Sequence, residues 1–223
     1  LGKRCAHLDL KTKDGRARFE GLLAKADVLV HGYRNGALDK LGLGKAFRQR
    51  INSNLIEVSL NAYGWDGSWK NRRGFDSLVQ MSSGIAASGM EWAGMEKTGG
   101  GQAKTRQKGL DKPTPLPVQA LDHATGYLMA AAVIKSLDQH IRGQALSDAR
   151  LSLARTAELL KQYREKGEVS DYLKGAENDD FSDVIEMNSW GQTRRLKVPL
   201  QIEDTDLWWE RPASLLGSDE PVW

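Results

Sequence analysis

The stretch that decides the fold runs from Ala26 to Ala62 and reads ADVLVHGYRNGALDKLGLGKAFRQRINSNLIEVSLNA. Its first part, Asp27 to His31, is a nearly continuous apolar run, which reads as a strand covered on both faces. Gly32 to Gly36 turns the chain, and Ala37 to Ile51 reads as one or two short helices broken near Gly42 and Gly44. Leu55 to Ala62 is a second strand, closed by a turn at Gly64-Trp65-Asp66-Gly67. Strand, helix and strand at this spacing predict a parallel α/β sheet with helices on its faces.

Working outward, Ala6 to Leu10 (AHLDL) reads as a further short strand. Lys13 to Ala26 carries Phe19, Leu22, Leu23 and Ala26 at helical spacing. Downstream, a basic loop precedes a helix over Phe75 to Ala87. Ser88 to Leu116 is glycine-rich and charged and reads as a surface loop. Pro113, Pro115 and Pro117 then hold the backbone extended and delay a helix that runs to Ile141. Leu121, Tyr127, Leu128, Met129, Val133, Ile134 and Leu137 lie among alanines there, so this helix is expected to be buried on most of its circumference. Ala145 to Lys166 reads as another helix and Gly167 to Asp183 as an acidic, weakly patterned stretch. Arg194 to Ile202 reads as a strand. Trp208, Trp209 and Trp223 close the chain, and a tail with so much aromatic surface is expected to pack on something. The expected division is a core over 1–144 and, over 145–223, a helix with a tail packing back on the core or on a partner.

Composition narrows the function. The chain has 223 residues, of which 40% are hydrophobic and 27% charged, with a formal net charge of +3. That suits a globular domain with a substantial core, and the charge is too small and too evenly spread to argue for nucleic acid. A single cysteine, Cys5, excludes an internal disulfide and points to a reducing compartment. No apolar run reaches the roughly 18 to 20 residues that span a bilayer. The expectation is a cytoplasmic protein without membrane or nucleic-acid partners. The chain opens on Leu1 rather than Met, which suggests that the natural N-terminus is missing, has been processed or lies on another polypeptide. His7, His31, His123 and His140 have no metal-ligand spacing with Cys5 or with paired carboxylates, so no metal is expected.

Five segments taken together resemble the family III CoA-transferases, the CaiB/BaiF group. They are GKRCAHLDLKTKDGRA from Gly2, ADVLVHGYRNGALDKLGLG from Ala26, LIEVSLNAYGWDGSW from Leu55, RRGFDSLVQMSSGIA from Arg72 and PLPVQALDHATGYLMAA from Pro115. The closing WWERPASLLGSDEP is similar to the family's last segment. The resemblance implies a Rossmann-like core and an interlocked homodimer or a complementary chain. It implies coenzyme A, carried as an acyl-CoA, and a carboxylic acid as substrates. Two departures stand out: the family's first strand and helix are absent before Leu1, and only a short stretch replaces its second domain. The chain thus resembles a trimmed member, and a non-catalytic or split subunit is the first alternative.

The resemblance assigns residues. Asp122 matches the nucleophilic aspartate, followed four positions later by a glycine, Gly126. A carboxylate there can attack a thioester carbonyl and pass through aspartyl-acyl and aspartyl-CoA intermediates. Read by position alone, without the resemblance, Asp122 reads first as a helix cap. Tyr33 and Lys40 are similar to family positions at the adenine and phosphate portions of CoA. Arg73 and Asp76 resemble positions near its pantetheine and phosphates. Related racemases carry a histidine where this chain has Phe75, and phenylalanine carries no proton, so racemase chemistry is the weaker alternative. Gly99 to Gln102 (GGGQ) resembles a loop that in formyl-CoA transferases shields the aspartyl intermediate, but there it follows the nucleophile and here it precedes it.

Overall fold

The computed structural model describes residues 1–96, 112–163 and 175–223. The chain divides into two compact units: Leu23–Glu165, and Leu1–Leu22 together with Lys166–Trp223. The expected boundary at 144 falls inside the first of these, because a strand and a helix beyond it complete the sheet.

The larger unit is built on a parallel sheet of β1 (Val28–His31), β2 (Ile56–Asn61) and β3 (Ala149–Ser152), in the order β1-β2-β3. Val28 pairs with Ile56, and Val58 with Ala149. Alternation along β2 gives the sheet two different faces. Ile56, Val58 and Leu60 pack with Val28, Ala149 and Leu151 against Met129, Ala132, Val133 and Leu137 of a long helix, α6 (Ala120–Ile141). Glu57, Ser59 and Asn61 point to the other face, where Glu57 meets Arg48 of the short helix α3 (Lys45–Ile51), which follows α2 (Ala37–Lys40). The break between those two helices is where the glycines place it. There the Arg48 guanidinium lies buried, donating from Nε and Nη2 to the two carboxylate oxygens of Glu57 (2.9 and 2.6 Å) and from Nη1 to the Leu43 carbonyl (2.6 Å). A second core joins Ala62, Val79, Leu121, Leu153 and Ala157 beside the carboxyl ends of the strands. It ties α6 to α4 (Asp76–Ser82) and α7 (Leu153–Gln162).

Several expectations are corrected. β1 is an edge strand among the described residues, and Val30 is 54% exposed rather than covered on both faces. The helix read over Ala145 to Lys166 is instead β3 followed by α7. Leu151 and Ala149 alternate onto the α6 face, and Ser152 caps the helix by accepting from the Arg155 N–H (3.2 Å). Part of the loop read from Ser88 is helical, since α5 (Ile85–Glu96) runs through it. Gly89 lets the proline segment approach α5, because a Cβ there would lie 2.1 Å from the Thr114 carbonyl oxygen. The GGGQ segment lies outside the described residues. α6 buries one face only: Leu121, Thr125, Met129 and Ser136 are buried, whereas Tyr127, Ile134 and Ile141 are 79%, 67% and 83% exposed. Three strands offer a single helix one apolar surface, so its far side stays bare.

In the smaller unit, Ala6 to Leu10 is not a strand. Asp9 turns the chain instead, its carboxylate accepting from the Lys11 N–H (2.9 Å) and its carbonyl from the Thr12 hydroxyl (2.8 Å), which leads into α1 (Lys13–Leu23). An antiparallel hairpin of β4 (Phe181–Asn188) and β5 (Gly191–Leu196) follows. β5 thus starts earlier and ends earlier than the strand read over Arg194 to Ile202, which continued through Pro199. The tail folds back on this hairpin. Arg195 stacks 4.3 Å from the Trp208 ring centre, pairs with Glu186 (2.6 Å) and donates to the Trp209 carbonyl (2.7 Å). No helix among the described residues is long and apolar enough to cross a membrane.

Candidate active site

Open parallel sheets hold ligands beyond the carboxyl ends of their strands. There the chain forms a cavity of about 160 Å³. Its lining includes Gly32 after β1, Asn61 and Ala62 at the end of β2, Leu153 at the start of α7, and Asp122 in the first turn of α6. Arg34, Lys70 and Arg72 add positive charge to the same wall.

Asp122 does not cap its own helix. Gln119 stands at the N-cap of α6, and the Asp122 N–H is taken by Asp76, whose Oδ2 accepts it at 2.9 Å. A buried side chain on α4 therefore does the capping, and the Asp122 carboxyl is left to the cavity. Of the two roles considered for Asp122, the cap is thus filled by another residue. The first turn of a helix favours the ionised form of such a group. Opposing this, partial burial of the carboxyl and the nearby Asp76 carboxylate push Asp122 above its ordinary pKa, with His123 pulling the other way. The residue as a whole is exposed, so the group is reachable.

The loop that carries the cations is braced from both ends. Asn61 closes its first turn, accepting from the Gly64 N–H (2.6 Å) and donating to the Gly64 carbonyl (2.9 Å). Arg72 stacks 4.3 Å from the Trp69 ring centre, and Trp69 meets Tyr63 edge-on at 5.2 Å. Gly74 lies against the end of β2, where a Cβ would come within 2.6 Å of the Ala62 Cβ and 2.8 Å of the Tyr63 ring. Gly74→Ala is therefore expected to cost about 1–3 kcal/mol, the range for overpacking. A urea midpoint unchanged from the parent would contradict this.

The remaining expected residues divide. Asp76 is buried, with one oxygen on the Asp122 N–H and the other accepting from Gln80, so it supports the site from behind and its carboxylate is not free to meet a ligand. Arg73 lines a neighbouring open cleft with Tyr63, Trp69, Leu78, Met81 and Ser82, and Arg72 borders both spaces. Tyr33 lines a third cavity, of about 390 Å³, on the polar face of the sheet. Its ring stacks with His31 at 5.9 Å, and the buried His31 Nδ1 has no hydrogen-bond partner. Burial and the neighbouring Arg48 hold the His31 pKa down, against an opposing pull from Glu57. Arg34 connects the Tyr33 and Asp122 cavities. Lys40 is exposed at the end of α2. Phe75 lines the Asp122 cavity with its side chain 75% exposed. Sequence reading missed Arg34, although it lies in the turn after β1, and it missed Gln80. Among the described residues no group of three His, Cys, Asp or Glu side chains is placed to hold a metal ion.

A parallel sheet with an aspartate in the first turn of a half-buried helix, beyond the strand ends and among cations, defines an α/β protein with a carboxylate in a cationic cavity. The chain matches CoA-transferase family III over residues 1–180 and belongs to that family. It is 32% identical over 136 residues to the probable fatty acyl-CoA transferase Rv3272 of Mycobacterium tuberculosis, covering 61% of this chain and 30% of that protein. The crystal structure of Rv3272 superposes with a TM-score of 0.59 at 28% identity, over 72% of this chain and 40% of that one. The beta subunit of succinyl-CoA–L-malate CoA-transferase from Chloroflexus aurantiacus is 37% identical over 84 residues, which are 38% of this chain and 21% of that subunit. The chain thus spans less than half the length of these relatives.

Proposed function

We propose that the chain transfers CoA from an acyl-CoA to a carboxylic acid, with Asp122 as the covalent acceptor. The observation that carries this reading is the pairing of Asp76 with the Asp122 N–H, which leaves an exposed, raised-pKa carboxyl lining a cationic cavity at the strand ends. The Asp122 carboxylate attacks the thioester carbonyl, forming a mixed anhydride and releasing the CoA thiolate. The thiolate attacks the aspartyl carbonyl, giving an aspartyl-CoA thioester and freeing the first acid. The acceptor carboxylate then attacks that thioester to form a second anhydride and expel the thiolate. Attack of the thiolate on the acceptor's carbonyl yields the new acyl-CoA and restores Asp122. Arg34, Lys70 and Arg72 offset the negative charge that gathers at each step.

Tyr33, Lys40 and Arg73 are the residues proposed to contact CoA, a ring for stacking and two cations for phosphate. Lys40→Ala and Arg73→Ala are each expected to weaken CoA binding by about tenfold, the size of one lost charge-assisted contact. Calorimetric titration of the full chain with CoA checks this, and unchanged affinity in both variants would remove them from the site. A Rossmann-like parent fold and a second chain, identical or complementary, complete the proposal. The support for a second chain is the row of Tyr127, Ile134 and Ile141, spaced seven residues apart on the bare side of α6.

A further inference from the structure

We propose that Gln80 and Asp76 are the positioning residues of the Asp122 site, acting as one buried clamp that fixes both the entry and the first turn of α6. The inference rests on the reading of Asp122 as the acyl acceptor and adds two residues that never touch substrate.

The clamp is a closed set of bonds. Gln80 and Asp76 sit one turn apart on α4, each 2% exposed. The Gln80 amide nitrogen donates to Asp76 Oδ1 and to the Val118 carbonyl (3.1 Å), and its oxygen accepts from the Leu116 N–H (2.7 Å). Asp76 Oδ2 accepts from the Asp122 N–H (2.9 Å). One side chain therefore fastens the proline segment at two points, and the next fastens the residue that would form the acyl bond. The N–H groups at the start of a helix and in the extended segment before it have no acceptor within the helix, and this pair supplies acceptors for Leu116 and Asp122 and a donor for Val118 from another element. Neither residue is available to solvent, so their bonds cannot be exchanged cheaply for water.

The clamp also sets the electrostatics. The groups facing Asp122 are Asp76 from α4, His123 on its own helix, Arg34 after β1, and Lys70 and Arg72 on the loop. Asp76 is the one acidic neighbour among them, and its charge makes the Asp122 carboxylate harder to form. Gln80 holds that charge beside the Asp122 backbone.

The test uses the full chain with aspartate carboxyls labelled in carbon-13, the Asp122 signal being assigned by its loss in Asp122→Asn. Asp76→Asn keeps an oxygen for the Asp122 N–H and removes the charge. The Asp122 signal is expected to titrate at lower pH in this variant, and the acid limb of adduct formation is expected to move with it. Gln80→Leu is expected to slow adduct formation at least about tenfold with KM for the donor within about threefold, as loss of orientation does. It is also expected to speed hydrogen exchange of the Asp122 amide. An unmoved Asp122 titration in Asp76→Asn, or parental rate and exchange in Gln80→Leu, would overturn the clamp. A parent protein that forms no adduct refutes the acyl-acceptor reading instead, while titration and exchange still judge the clamp.

Discussion

Replacing Asp122 with alanine is expected to lower CoA transfer by at least about a thousandfold, the scale at which removal of a covalent nucleophile acts. Asp122→Asn is expected to do the same, because an amide keeps the shape but neither attacks a thioester nor leaves an anhydride. The loss should fall on kcat rather than on CoA affinity, since the proposed CoA contacts lie at Tyr33, Lys40 and Arg73. Folding provides the control. A carboxyl whose pKa is raised on folding is stabilising when protonated, and that contribution is lost as pH rises from its ordinary range through the raised value. Above that window Asp122→Asn should therefore be no less stable than the parent. Steady-state kinetics and urea unfolding on the same samples separate the two effects. Transfer retained within about tenfold in both variants would move the chemistry to another residue.

The largest expected effect on stability lies across the sheet. Glu57→Ala leaves the Arg48 guanidinium buried with its carboxylate partner gone. Both side chains are under a tenth exposed, so water cannot replace the partner without opening the α3 contact. The loss is expected to be about 3–5 kcal/mol, the range for breaking one half of a buried pair. Replacing both residues by apolar ones, Arg48→Met with Glu57→Leu, is expected to recover most of it, because desolvating two charges consumes much of what their attraction returns. Equilibrium urea unfolding of the single and double variants checks both statements. A single variant within about 0.5 kcal/mol of the parent, the scatter of ordinary surface changes, would show that the pair is not the anchor of α3 on this face.

Much of the larger unit is legible in the sequence because its signals are local. The apolar run at Val28 and the alternation from Ile56 to Leu60 mark strands without help from elsewhere, and the glycines between α2 and α3 stop one helix and start the next. β3 is not legible in this way. Ala149 to Ser152 is short and half polar, and only its ladder with β2 makes it a strand. The extent of burial on α6 also misleads, since its composition is apolar all round while three described strands cover only one side. At the site, the proposed acyl acceptor Asp122 is read from the motif around it. The group that frees it is not, because Asp76 lies 46 residues earlier in the chain and meets the Asp122 N–H only once the helices pack. For the same reason the cations that reach the cavity are Arg34, Lys70 and Arg72, while Arg73 faces the next cleft.

The most direct measurement is intact mass spectrometry of the full chain after incubation with a panel of acyl-CoAs and trapping with hydroxylamine, beside Asp122→Ala. The expected result is a modification on the parent chain that maps to Asp122 and is missing from the variant. A modification that persists in Asp122→Ala, or no modification with any donor under conditions where CoA binds, would contradict it.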